Sequence, residues 1–180
     1  MFSLPIRPGF ELRLLEERHA PAVFKVIDRE RHDLRDWLPW VDATRSEDDL
    51  VSFIRSALEQ FAGNSAVVSG IWGPEGFAGV VGMHKIDKLN HSTELGYWLS
   101  RAHRGQGVMT DACRKVITYA FDELELHRVQ IRCGVRNTKS CAVPERLGFT
   151  FEGTLREAQH LNGCYEDLRL YSMLAQDWKG

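Results

Sequence analysis

Two glycines one residue apart, Gly105 and Gly107, sit behind Arg104 in the stretch SRAHRGQGVMTDACRKV, where a helical pattern begins. The chemistry open to this arrangement is anion binding. The first N–H groups of a helix have no intrahelical partner, and the macrodipole leaves that end partly positive. A phosphate docks there when no side chain blocks it, and glycine leaves the backbone bare. Arg104 adds a cation at the loop entrance. A tight strand-to-helix turn accounts for the same two glycines, and spacing alone does not separate the two readings. Familiar phosphate motifs do not fit. The pattern G-x-x-x-x-G-K-[ST] is absent. A dinucleotide fingerprint wants a third glycine, where this chain has Thr110, and an acid about 20 residues on, where it has Asn137.

Such a loop needs a strand before it and a helix behind it, and the pattern supplies both. TELGYWLS alternates as a strand, and Met109, Ala112, Cys113, Val116, Ile117, Ala120, Phe121 and Leu124 keep a helical period over Gly107 to Glu123. Upstream, Phe10, Leu12 and Leu14 mark a first strand, and PAVFKVIDRERHDLRDWLPW reads as a helix closed by Pro39, with Trp37 and Trp40 at its exit. A second helix follows Ser46, a plausible N-cap, with Leu50, Phe53, Ile54, Ala57, Leu58 and Phe61 as one apolar stripe. SAVVSGIW, FAGVVGMHKI and TELGYWLS are split by the short turns GPEG and DKLNHS, which implies antiparallel neighbours. HRVQIRCGV, reached through the long helix, is a parallel partner of TELGYWLS. A short helix from Asn137 to Leu147 and strands at Phe149–Ala158 and Leu168–Leu174 complete the order. The expected class is α/β of the α+β kind: a mixed, mostly antiparallel central sheet of about seven strands with a central parallel pair and flanking helices. Residues 1–180 are expected to form one domain.

Bulk properties narrow the partners. A formal net charge of −2 over 180 residues advertises no broad basic surface, so no direct nucleic-acid partner is expected. Cys113, Cys133, Cys141 and Cys164 are widely spaced with no C-x-x-C, which argues against zinc and against a disulfide framework and fits a reducing compartment. The histidines never pair at helical ligand spacing, so no metal is expected. MFSLPIRPGFELRLL lacks the charged start and long apolar core of a signal peptide. No apolar run reaches the roughly 18 residues of a membrane span. The expectation is a cytoplasmic protein without a membrane partner.

Arg104-x-x-Gly107 after ELGYWL, followed by a helix, a strand, VRNTKS and RLGF, resembles the GNAT superfamily of acetyl-CoA-dependent N-acetyltransferases. More narrowly it resembles the ribosomal-protein N-terminal acetyltransferase group of RimJ/RimL type, from the first strand through YEDLRLYSML. The superfamily pattern R/Q-x-x-G-x-G/A is kept at Arg104 and Gly107, while Met109 replaces the last small residue, a change common in that branch. The resemblance implies acetyl-CoA as cofactor. Its pyrophosphate would be held by the backbone from Arg104 through Gly105, Gln106, Gly107, Val108 and Met109, with Thr110 completing the helix start. The parallel strands ending near Ser100 and Val135 would splay, and pantetheine would lie between them against the backbone of Trp98, Leu99 and Ser100. Asn137 and Ser140, in the family's N-x-x-S element, would sit beside the pantetheine and the thioester.

Acetyl transfer by direct attack in a ternary complex needs a neutral amine, a polarised carbonyl and a proton for the leaving thiolate. A peptide α-amine has a pKa of about 8 against about 10.4 for lysine, so a carboxylate acting through water is base enough. Glu94 is the candidate, sharing a strand face with Gly96 and Trp98, and many superfamily members carry a catalytic glutamate on this strand. A surface carboxylate at a strand end is the other reading. The tyrosine that much of the superfamily places before its Gly-Phe pair falls on Pro144, and the resemblance to the RimJ/RimL-type group implies the serine of its N-x-x-S element, Ser140, as the proton donor to the thiolate instead. Pro144 cannot donate to the carbonyl of Ser140, so the helix is expected to kink there and leave polar groups free. A hydroxyl bonded to its own backbone is the alternative for Ser140. The group's other proposed base falls on Gln159, beside His160. RHDLRDWLPW and QHLNGCYED resemble the acceptor-groove segments, which makes Trp37, Trp40, Glu94, Gln159 and His160 the substrate-binding set, although both tryptophans also read as core anchors. The acceptor expected is a peptide or protein N-terminus of the ribosomal-protein type. A small amine such as a polyamine or aminoglycoside, or a catalytically weak acyl-CoA-binding module, is the alternative. A homodimer is compatible with the sequence, but no residue identifies its interface.

Overall fold

The computed structural model describes residues 3–180. Its strands are β1 (Ser3–Arg7), β2 (Phe10–Leu14), β3 (Val67–Gly73), β4 (Gly76–Asp87), β5 (Ser92–Leu99), β6 (Arg128–Gly134), β7 (Thr150–Leu161) and β8 (Cys164–Leu174). They form one sheet of eight strands in the order β1-β2-β3-β4-β5-β6-β8-β7, antiparallel throughout except for β5 and β6. The strand that alternation did not reveal is β1. It carries Pro5 and buries only Ile6, as an edge strand can.

The parallel pair parts early. Its ladder holds Ser92 against Arg128, Thr93 against Val129 and Glu94 against Gln130. Beyond Glu94, β5 runs on to Leu99 and β6 to Gly134 with no pairing between them. The outer edge of each arm stays occupied, with Leu99 opposite Gly79 on β4 and Gly134 opposite Leu168 on β8. The result is a V whose inner edges carry unpaired backbone groups.

Four helices cover the sheet: α1 (Ala20–Leu34), α2 (Glu47–Ala62), α3 (Val108–Asp122) and α4 (Thr138–Arg146). On one face α3 and α4 meet Val81, Met83, Leu95, Leu99, Val129 and Ile131 in the larger core. On the other face α1 and α2 bury Ile27, Leu34, Leu50 and Ile54 against Val68 and Phe77. Among the described residues no helix is long and apolar enough to cross a membrane.

Three elements differ from the sequence expectation: the end of α1, the apolar stripe of α2 and the β7–β8 hairpin. Helix α1 stops at Leu34, ahead of Pro39, and the chain turns repeatedly to bury Val41 completely. Arg31 clamps that connection by donating to the carbonyls of Val41 at 2.6 Å and Thr44 at 2.8 Å. On α2, Ser46 caps as expected, in a reciprocal box with Asp49, but Phe53 and Phe61 are 47% and 38% exposed. Phe53 lies about 60° from Leu50 and about 100° from Ile54 around the helix, on the far side of Leu50 from Ile54. Strands β7 and β8 reach a tight turn at Asn162 and Gly163, both at positive φ (51° and 80°), a turn suited to Asn-Gly. Solvent bathes most of β7, which erases the two-residue hydrophobic period there.

The β4–β5 arm depends on close backbone approach. A Cβ on Gly79 would lie 2.3 Å from the carbonyl oxygen of Trp98. Gly79→Ala is therefore expected to destabilise the fold by about 1–3 kcal/mol. Urea unfolding reads this as a lower midpoint at unchanged slope; a parental midpoint would show that the ladder has room.

Candidate active site

At the wide end of the V, Gly107 caps α3 in the left-handed region (φ 79°), and Gly105 lies there too (φ 77°). Glycine is needed at both positions for the turn itself. It also leaves the loop uncovered: a Cβ on Gly105 would meet nothing within 4 Å, and one on Gly107 would meet only Arg7 Nη1, at 3.5 Å. The turn and the anion readings thus coincide. The first helical bond runs from Asp111 N–H to Gly107 O at 3.0 Å, and no side chain caps the helix. The amides of Val108, Met109 and Thr110 precede that bond, while the side chains of Val108 and Met109 are buried as anchors.

Arg104 braces the loop from within, its Nε donating to Leu99 O at 2.9 Å. A second brace comes from β1, where Arg7 Nη1 donates to Gln106 O at 2.6 Å and pairs with Asp111 at 3.5 Å. Gln106 Nε2 donates back to Ala102 O at 2.9 Å. Thr110 Oγ1 accepts from Arg146 Nε at 3.3 Å. No sequence signal connects Arg7 to a loop 99 residues away.

Along the β5 arm, Ser100 N–H donates to Ala78 O at 2.8 Å, and Trp98 lies opposite Val80. Antiparallel alternation then turns the backbone of Trp98 and Ser100 towards β4 and that of Tyr97 and Leu99 towards the V. The Trp98 side chain faces α1 and α2, with ring centroids 5.7 Å from Phe77 and 6.2 Å from Trp40.

Ser140 stands on the other side of the V. Asn137 caps α4 by accepting from Ser140 N–H at 3.1 Å. The Ser140 hydroxyl is not bonded to its own backbone. It lies 3.3 Å from Cys133 Sγ and 3.4 Å from Tyr97 Oη. The carbonyl of Ser140, which Pro144 cannot serve, is not left free: Tyr97 Oη donates to it at 2.9 Å. Helix α4 runs unbroken through Pro144, so the expected release of polar groups does not occur. Burial pushes the Tyr97 phenol well above its ordinary value and the Cys133 thiol up to about 11, so both remain neutral at pH 7. Tyr97 and Cys133 are site neighbours that sequence reasoning missed.

On the opposite face of the sheet, Glu94 occupies the apex of the V as the last paired residue of β5. Its carboxylate accepts from Arg132 Nε at 2.9 Å and from Gln130 Nε2 at 3.4 Å. It is therefore a held carboxylate rather than a loose surface one. His84 lies across the ladder from Glu94, its ring over Gly96, and desolvation holds it below its ordinary pKa against the opposing pull of Glu94. Trp40 is 37% exposed beside Trp98, and Trp37 is half-buried. Gln159 is half-buried directly opposite Glu166, a second carboxylate, buried and held by Arg136. His160 is exposed, its ring tilted against Tyr165 at 5.0 Å, and alternation turns it away from the Gln159 face. Asn162 Nδ2 donates to Arg35 O at 3.1 Å, which ties the β7–β8 turn to the segment carrying Trp37 and Trp40. The structure thus brings Glu94, Trp40, Trp98 and Gln159 to one face and leaves His160 off it.

If the bare amides hold phosphate, Gly107→Val is expected to weaken coenzyme A binding by about tenfold or more. Arg104→Ala removes one brace and is expected to cost less. Calorimetry on folded variants decides it, and parental affinity for Gly107→Val would exclude the cradle.

Residues 10–150 match the family model described as an acetyltransferase (GNAT) domain. The chain is 37% identical over its whole length to YdaF of Bacillus subtilis, covering 99% of that protein, whose ribosomal N-acetyltransferase name is itself provisional. It is 30% identical to the ribosomal-protein-serine acetyltransferase of Escherichia coli over 96% of both chains. Among solved structures, the ribosomal-protein α-N-acetyltransferase RimL in complex with coenzyme A superposes with a TM-score of 0.93 at 28% identity, over 96% of this chain and 98% of that one. With its uncapped helix start, its split parallel pair and these relatives, the chain belongs to the GNAT family and is an N-acetyltransferase that uses acetyl-CoA.

Proposed function

We propose that the chain, acting as one domain in the cytoplasm, acetylates the α-amine of a protein N-terminus of the kind ribosomal proteins carry. The observation that carries this reading is the V between β5 and β6, with Glu94 at its apex on one face and Ser140 reaching in from the other. Acetyl-CoA supplies the acetyl group as a thioester. The amides of Val108, Met109 and Thr110 hold its pyrophosphate, and the inner edge at Tyr97 and Leu99 pairs with its pantetheine. Trp40, Trp98 and the β7–β8 hairpin wall the acceptor side, and the relatives that span the whole chain bear ribosomal names.

Arg132 and Gln130 occupy only part of the lone-pair capacity of Glu94, which leaves room for a water. Through that water Glu94 takes the amine's surplus proton and passes it to solvent. The amine nitrogen bonds to the carbonyl carbon as the carbon–sulfur bond gives its electron pair to sulfur, and the nitrogen releases a second proton to solvent as the neutral amide forms. Ser140 donates its proton to the departing thiolate and recovers one from solvent.

A thiol-release assay with N-terminal peptides, polyamines and aminoglycosides tests the acceptor, with mass spectrometry locating the acetyl group. Faster turnover of polyamines or aminoglycosides than of peptides would replace this reading with a small-amine enzyme. Glu94→Gln is expected to lower turnover at nearly parental coenzyme A affinity. The loss should shrink as pH rises through the α-amine pKa of about 8, where the amine is already neutral; a pH-independent loss would assign Glu94 to acceptor binding. Ser140→Ala is expected to lower turnover about a hundredfold, the lower part of the range for a positioned proton donor. A variant of parental turnover would leave the thiolate to water.

A further inference from the structure

We propose that Tyr97 is a positioning residue for acetyl transfer: its hydroxyl replaces the helix hydrogen bond that Pro144 removes and so fixes Ser140 within the V. The inference rests on the reading of Ser140 as donor to the leaving thiolate. In a regular helix the N–H of residue 144 would serve the carbonyl of Ser140. Proline has none, and a partly buried carbonyl left without a donor costs about 1–3 kcal/mol. Tyr97, arriving from β5 across the V, places its hydroxyl 2.9 Å from that oxygen.

This contact also settles the direction of the neighbouring proton. A phenol has one hydrogen to give, and Tyr97 gives it to the Ser140 carbonyl, so towards Ser140 Oγ it can only accept. The serine proton then faces two weak acceptors, Tyr97 Oη at 3.4 Å and Cys133 Sγ at 3.3 Å. The phenol contact is long beside the usual O–H···O distance of about 2.7–2.8 Å. A proton held this loosely passes readily to a stronger acceptor, and a developing thiolate in the V is one. Tyr97 is not itself the donor, because its hydrogen is engaged on the Ser140 carbonyl and burial disfavours the phenolate that donation would leave. One strand of the cofactor cleft therefore orients a side chain on the helix across it.

The test is a cycle of Tyr97→Phe and Pro144→Ala, with Ser140→Ala as reference. Tyr97→Phe is expected to lower kcat about tenfold, the worth of one well-placed hydrogen bond, with KM and calorimetric coenzyme A affinity near parental. Pro144→Ala restores an N–H to the Ser140 carbonyl, so in that background Tyr97→Phe is expected to lose little. Pro144→Val keeps the buried volume if the alanine variant fails to fold. Parental kcat for Tyr97→Phe overturns the proposal, as does a loss that falls on KM. An equal loss in both backgrounds also overturns it, since the hydroxyl would then act directly on the thiolate. If Ser140→Ala keeps parental turnover, the Ser140 reading fails; if it loses about a hundredfold while Tyr97→Phe loses nothing, only the positioning role fails.

Discussion

Everything in the site follows from the parting of β5 and β6 after Glu94. A parallel pair that stayed in register to its ends would close its inner backbone groups on each other. Here the outer edges are held by β4 and β8, so the arms cannot fold inward or drift away, and their inner edges keep an open set of donors and acceptors. Such an edge is normally a liability, being a template for another strand. In this sheet the edge lies at the centre, beside α3 and α4. On the proposed reading, the amides of a pantetheine chain pair with that edge.

The same constraint sorts the side chains by face. Alternation along β5 sends Leu95, Tyr97 and Leu99 to the α3 and α4 side and Glu94, Gly96 and Trp98 to the other. On the proposed reading, the leaving-group chemistry at Ser140 and the acceptor chemistry at Glu94 are thereby separated by the thickness of one strand. Each carboxylate on the acceptor face has its own arginine, Arg132 for Glu94 and Arg136 for Glu166. Both cations come from the β6 side, so that strand and its extension hold the charge balance of the groove. A buried carboxylate such as Glu166 stripped of its cation is costly, which makes Arg136 structural as well as electrostatic.

How much of this was legible in the sequence depended on whether a residue's role was local. The strands of the sheet centre, the helix after Gly107 and the parallel crossover all follow from short-range periodicity and loop length. The glycine pair announced itself because positive φ and bare amides both require the same residue type. Pro144 signalled a missing donor, but the compensating hydroxyl sits in another element, and no spacing rule links Tyr97 to Ser140. Glu166 was hidden in the same way: its place opposite Gln159 depends on a hairpin register shifted by irregularities between Leu155 and Gln159. His160, adjacent to Gln159 in the chain, looked equivalent to it and is not, because adjacent strand residues face opposite ways. The early end of α1 reflects a tertiary demand, the burial of Val41, that its helical pattern does not contain.

The brace from Arg7 to Gln106 joins the edge of the sheet to the mouth of the cofactor cleft. An edge strand with one buried side chain is among the first parts of a sheet to open. Whatever holds the loop in its binding shape also holds that strand shut, and free energy passes both ways through one guanidinium. A ligand that favours the braced shape of the loop would, by the same contact, favour the paired state of the outermost strand.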